Sequence, residues 1–216
     1  MTETRTTSGS GLCLVAPAAT GADGRARIEA ALDATKAVTL VLTAPPEGSL
    51  DPAAARPLVE MAQRKGVAAL IADDVAAARA TGADGVHLSW RPEIEDAYEA
   101  ARTALGPEAV VGADAGSSRH DAMMLGEAGA DYVAFGRMSE GLGPDAARET
   151  QRELVAWWAE VFVVPVIAFD AGDADDARDL IRHGADFVAV RLPDAGDDAA
   201  WASALVAALA APADAA

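Results

Sequence analysis

Gly82-Ala83-Asp84-Gly85-Val86-His87-Leu88 returns as Gly129-Ala130-Asp131-Tyr132-Val133-Ala134-Phe135, and again as Gly184-Ala185-Asp186-Phe187-Val188-Ala189-Val190. Each copy reads as the same piece of chain. A glycine ends a helix, a small residue and an aspartate follow, and a short apolar strand begins. Outward from these copies, brief runs of Val, Leu, Ile and Phe predict strands at Leu12–Ala16, Val38–Leu42, Val67–Ile71, Gly85–Leu88, Ala109–Gly112, Tyr132–Phe135, Val164–Ala168 and Phe187–Val190. Such runs suit strands buried on both faces. The stretches between them are long enough for crossover helices. Helices are predicted at Asp51–Arg64, Asp121–Ala128, Asp173–Arg182 and Ala199–Ala210, the last with Trp201, Leu205, Val206 and Leu209 on one face.

Eight strand–helix units in one chain of this length predict an α/β fold, a closed (β/α)8 TIM barrel with parallel strands and outer helices. Residues 12–211 are expected to form this single domain, with flexible tails at 1–11 and 212–216. The three repeats fall on strands four, six and eight. Their aspartates lie at the strand N-terminal ends, where they read as structural.

Composition narrows the function classes. The chain has 216 residues, 51% hydrophobic, and a formal net charge of −17. Alanine is about a quarter of the chain and arginine far outnumbers lysine, a bias of genome composition rather than mechanism. No basic footprint exists for a nucleic-acid backbone or an anionic membrane surface. No apolar run is long enough to span a bilayer. The lone Cys13 sits in the apolar run Leu12-Cys13-Leu14-Val15, as a buried small side chain does. A cytoplasmic setting is expected, with a small-molecule ligand and neither nucleic acid nor membrane as partner.

In such barrels chemistry sits where strands end and βα loops begin. Asp73, Asp114 and Asp170 follow strands three, five and seven, and Arg137 and Arg191 follow strands six and eight. The carboxylates read as a metal site, a pocket for a cationic ligand, or helix caps at Asp73 and Asp170. The arginines read as anion receptors or as partners of nearby acids such as Glu140 and Asp194. His87 reads as a packed strand residue. His183 sits at a helix C-terminus, and Trp157-Trp158 reads as helix–barrel packing.

Ala72-Asp73-Asp74, the Gly82–Leu88 string, Gly112, Gly129 through Gly136, Pro165–Ala168 and Gly184–Val190 together resemble thiamine-phosphate synthase and its TenI-type relatives. The resemblance runs from about Leu12 to Val190. It implies coupling of a pyrimidine diphosphate to a thiazole phosphate with release of pyrophosphate, helped by Mg²⁺ if the chain is catalytic. It assigns Asp73 to the metal. Asp114, Gly136, Arg137, Asp170, Gly172 and Arg191 take the substrate-binding positions, and the Gly172 or Arg191 amide can receive one phosphate.

The departures from the family pattern are one-sided. The family's Gln-x-Arg-x-Lys on strand two falls on Thr39, Val41 and Thr43. Its Asn before the metal Asp falls on Ala72, and its second metal Asp falls near Pro92 with Glu93 beside it. The Ser after strand five is Asp114. The Thr-x-Thr-Lys of the strand-six loop falls on Gly141, Gly143 and Pro144, and the Gly-Gly after strand seven falls on Asp170-Ala171. His120 sits several residues past the histidine of the TenI-type tautomerase and does not inherit its role. Three readings follow: a diverged, weak or non-catalytic small-molecule binder; an active thiamine-phosphate synthase; or an unrelated metal-assisted barrel enzyme using Asp73, Asp114 and Asp170.

Overall fold

The computed structural model describes residues 11–18, 22–45, 48–137, 141, 143–194 and 198–210. Strands and helices alternate: β1 (Gly11–Pro17), α1 (Ala22–Thr35), β2 (Thr39–Thr43), α2 (Pro52–Arg64), β3 (Ala68–Ala72), α3 (Val75–Thr81), β4 (Gly85–Leu88), α4 (Ile94–Leu105), β5 (Val110–Asp114), α5 (Arg119–Glu127), β6 (Val133–Phe135), α6 (Pro144–Val161), β7 (Val166–Ala168), α7 (Ala174–Arg182), β8 (Phe187–Arg191) and α8 (Asp198–Ala210). The strands close in sequence order, all parallel, with β8 pairing back onto β1. This is a (β/α)8 barrel.

Alternation along each strand divides the core in two. Cys13, Val15, Val41, Leu70, Ala72, Tyr132, Ala134, Ile167, Phe169 and Ala189 fill the barrel interior. Leu12, Leu14, Leu40, Ile71, Val86, Val111, Phe135 and Val188 point the other way and pack beneath the helices. Because both faces are buried, the strands read as continuous apolar runs. Gly112 leaves the space the Tyr132 ring occupies, since a Cβ there would overlap it. Cys13 is buried, and desolvation pushes its thiol up to about 12. That is the setting of an inert thiol.

Each repeat aspartate reaches back to the odd strand beside it. The Ala69 amide donates to Asp84 at 2.7 Å, the Val111 amide to Asp131 at 2.7 Å and the Val166 amide to Asp186 at 2.8 Å. Three identical clamps therefore bolt the start of β3, β5 and β7 at the face opposite the strand C-terminal ends. The glycine before each aspartate has positive φ, 75° at Gly82, 86° at Gly129 and 101° at Gly184. Glycine adopts that backbone freely as the chain leaves the helix. Asp131 also takes a 2.5 Å bond from Arg102. Asp131→Ala would leave the Val111 amide without its acceptor and is expected to cost about 1–3 kcal/mol. Urea denaturation reads this directly, and an unchanged midpoint would refute the clamp.

Element bounds differ from the sequence expectation in physically simple ways. β1 begins at Gly11, so the barrel starts one residue earlier than expected; the rest of the expected tails lies outside the described residues. α5 begins at Arg119 because the Ser118 hydroxyl caps it, accepting from the Asp121 amide at 3.1 Å. Val206 is 38% exposed, and α8 buries Ala202, Leu205 and Ala208 instead. The expected caps Asp73 and Asp170 are not caps. α3 is capped by Asp74, accepting from the Ala77 amide, and α7 by Asp173, accepting from the Asp176 amide. Among the described residues, no helix is long and apolar enough to cross a membrane.

Candidate functional site

The strand C-terminal ends open into a cavity of about 240 Å³. Asp114, Gly136, Arg137, Asp170 and Arg191 all line it, with Val15, Val41 and Ala72 as its apolar floor. Gly172 lies in an adjoining hollow shared with Asp170 and Arg191, and Asp73 in another shared with Thr43 and Ser89. His87, Phe169 and Trp90 also line the central cavity. A larger hollow on the outer surface of α6 and α7 is an ion-paired face, with Arg152 on Asp179 and Arg178 on Asp175.

Asp114 is 8% exposed. The Gly116 amide donates to its Oδ1 at 2.7 Å, and the Gly136 amide bonds it as well. A Cβ on Gly136 would overlap the Asp114 carboxylate, so the end of β6 must be bare for that side chain to sit there. Burial raises the carboxyl, the two amides pull it back, and the negative charges of Asp170 and Asp73 raise it further; the result is about 6.

Tyr132, His87 and Phe169 form a stack across the barrel. The His87 and Phe169 rings lie 4.1 Å apart and 11° from parallel. His87 Nδ1 is hydrogen-bonded to the Tyr132 hydroxyl at 3.0 Å. Burial lowers the imidazole to about 4, the Asp73 charge opposing weakly, so the ring is neutral at pH 7. Its Nε2 has no hydrogen-bond partner among the described residues. Trp90 packs its indole against Gly116, where a Cβ would come within 2.6 Å of the ring.

Arg137 pairs with an acid, one brought from another element. Its guanidinium pairs with Asp176 on α7, while Glu140 lies outside the described residues. Asp176 also accepts the Gly172 amide at 2.8 Å. Desolvation raises Asp176, but the Gly172 amide and the Arg137 charge outweigh it, and its carboxyl titrates below the usual range. Arg191 has no ion pair among the described residues. Asp194 instead offers its backbone oxygen to Arg27 at 3.2 Å. Buried Gln151 of α6 ties this corner together, donating to the Phe135 oxygen at 2.7 Å and the Phe169 oxygen at 2.6 Å.

Asp73 and Asp170 both have left-handed backbone, with φ of 61° and 58°. Asp73 accepts from the Ser89 amide at 2.8 Å and the Ser89 hydroxyl at 2.7 Å, and its carboxylate also pairs with Arg91. Two Ser89 donors and the Arg91 guanidinium thus occupy the carboxylate the resemblance assigns to Mg²⁺. That donor set does not fit a hard cation, which needs free oxygens. No group of three His, Cys, Asp or Glu among the described residues is disposed to hold a metal. Asp73, Asp114 and Asp170 therefore do not make the three-carboxylate metal cluster of the third reading.

Three residues of this site lay outside the candidate set. Asp176 and Gln151 were missed, and His87 was read as scaffold alone. The available signal for Gln151 was a single polar residue on the face of α6 that buries Ala147, Leu154, Val155 and Trp158.

Comparison with known proteins gives a consistent picture. The family model described as thiamine monophosphate synthase matches residues 12–192. The chain is 42% identical over 130 residues to the thiamine-phosphate synthase of Hyphomonas neptunium, covering 60% of this chain and 58% of that protein. It is 38% identical over 169 residues to the thiamine-phosphate synthase of Erythrobacter litoralis, covering 76% and 78%. Among solved structures, thiamine phosphate pyrophosphorylase from Pyrococcus furiosus superposes with a TM-score of 0.71 at 23% identity, over 95% of this chain and 98% of that one. The Amycolatopsis orientalis BexX/CysO complex superposes with a TM-score of 0.65 at 18% identity, over 93% of this chain and 88% of that one. These two likenesses speak to the fold.

Proposed function

The chain belongs to the thiamine monophosphate synthase family, and from that premise we propose that it is a small-molecule-binding member of thiamine metabolism whose coupling of a pyrimidine diphosphate to a thiazole phosphate is weak or lost. One observation carries this reading. The Gly172 amide and the Arg137 guanidinium, the anion-receiving groups after β7 and β6, are both bound to the chain's own Asp176. The Asp176 carboxylate already satisfies both of these donors. β2 adds support, because Thr39, Val41 and Thr43 along it offer no cation. Asp170, beside Gly172, adds negative charge to the same rim.

Losing one charge-assisted donor costs on the order of 10²–10³ in rate. Purified protein given both phosphorylated precursors and Mg²⁺ is therefore expected to form thiamine phosphate at least about 10³-fold more slowly than an active relative. Turnover within tenfold of that relative, followed by pyrophosphate release, overturns the reading. The second reading, an active synthase, is favoured by the activity for which the two bacterial relatives are named.

A further inference from the structure

We propose that Arg91 is a built-in cation that takes the place of a divalent ion at Asp73, so that the mouth of this barrel works without a metal. This rests on the family reading, which says which carboxylate a metal would take, and goes further by replacing the ion with a side chain. Asp73 follows β3 with left-handed backbone, and its neighbour Asp74 is committed to capping α3. An ionised carboxylate offers about four lone-pair sites. At Asp73 the Ser89 amide donates to Oδ1 at 2.8 Å and the Ser89 hydroxyl to Oδ2 at 2.7 Å. The Arg91 guanidinium donates to Oδ1 through Nη2. Arg91 Nε also donates to the Ser89 oxygen at 3.3 Å, which steadies the guanidinium beside the carboxylate. All these donors come from the stretch Ser89-Trp90-Arg91 after β4. The Asp73 amide in turn donates to the His87 oxygen at 2.9 Å, so β4 fixes both halves of the contact.

Charge points the same way. A hard divalent ion needs several oxygen ligands with carboxylates among them. The resemblance puts a second metal carboxylate near Pro92, whose ring carries none. Among the described residues, no three acids, histidines or cysteines gather into a metal-holding group. Two carboxylates around a divalent ion sum to zero charge, and so do one carboxylate and one guanidinium. An acid lost at Pro92 and a cation present at Arg91 therefore keep the local charge balanced with no ion at all. The side chains of Arg91 and Asp73 are 42% and 38% exposed, so a solvent ion can reach the pair and compete for it. What opposes that ion is a cation tethered to the chain, which neither dilutes away nor loses its proton near neutral pH.

Mn²⁺ is the probe, counted on the protein by equilibrium dialysis with and without inorganic pyrophosphate. A chain of net charge −17 collects some ions at its surface, so the Asp73-dependent part is what matters. Wild type and Asp73→Asn are expected to hold the same amount. Arg91→Gln is expected to bind Mn²⁺ at least tenfold more tightly than wild type, and Arg91→Gln with Asp73→Asn to lose that gain. A wild-type ion that Asp73→Asn removes, with or without pyrophosphate, overturns the proposal. So does Arg91→Gln binding Mn²⁺ no better than wild type. Thermal melting establishes that the variants are folded. Broadening of the Trp90 indole N–H resonance by Mn²⁺ makes the same comparison of wild type with Arg91→Gln while Asp73 stays intact. The coupling assay fails or succeeds separately. Turnover at a relative's rate would remove the weak-synthase reading and leave the manganese result standing, whereas an Asp73-bound ion in an inactive protein removes only the role of Arg91.

Discussion

Asp114→Asn is expected to raise the stability of the protein at pH 7.5 by about 1–2 kcal/mol, several degrees in melting temperature for a chain of this size. Folding lifts the Asp114 carboxyl from 3.8 to about 6. The folded state therefore binds that proton more tightly than the unfolded chain. Between those values stability falls as pH rises, and above about 6 the whole penalty of about 3 kcal/mol is in force. Asparagine removes the charge but returns part of the gain, because its Nδ2 cannot accept from the Gly136 amide. His87 tilts the other way. Its imidazole falls from 6.5 to about 4 on folding, so its contribution to stability is lost as pH drops through that range. In the wild type the two slopes oppose each other between pH 4 and 6. In the variant only the His87 slope remains. Its advantage should be largest above pH 6 and vanish near pH 4. Melting curves across that range test this, and a variant no more stable at pH 7.5 would show that Asp114 carries no buried-charge penalty.

Trp158→Ala should be the most damaging single core change considered, costing about 3–5 kcal/mol. The side chain is fully buried and its Nε1–H donates to the Val164 oxygen at 2.9 Å. It stacks on Phe162 at 4.0 Å, meets Phe135 edge-on at 6.3 Å, and abuts Gly126 on α5. One residue thus joins α5, α6 and β6 to the entry of β7. Denaturant unfolding should give a lower midpoint with an unchanged slope. A loss below about 1 kcal/mol would mean that the neighbours close the void.

The barrel was legible because its strands are short, apolar and buried on both faces, and because three copies of one turn mark β4, β6 and β8. Strand ends were legible too, since alternation and loop position decide which residues reach the mouth. Pairing was not. Arg137, just past β6, is matched with Asp176 in the first turn of α7, 39 residues on, which no local pattern encodes. Adjacent acids were ambiguous for the same reason: Asp73 and Asp74 look alike as letters, yet the backbone turns one toward Ser89 and the other into a cap. The family pattern located the departures at Asp114 and Asp170. Their charge alone did not say that one is sealed inside and the other wet.

The aspartate clamps lie at the end of the barrel away from all of this. The bonds of Asp84 and Asp131 run to strand amides and to Gln63 and Arg102 at that same end, and Asp186 holds the Val166 amide there, so the clamping is done away from the mouth. Such a molecule has its architecture and its chemistry under separate control. A lineage can rewrite every βα loop, abandon one ligand and adopt another, and pass through inactive intermediates while still folding. Substitutions at the mouth are then free to be sampled one at a time, which is the condition under which a synthase scaffold drifts into a different occupation.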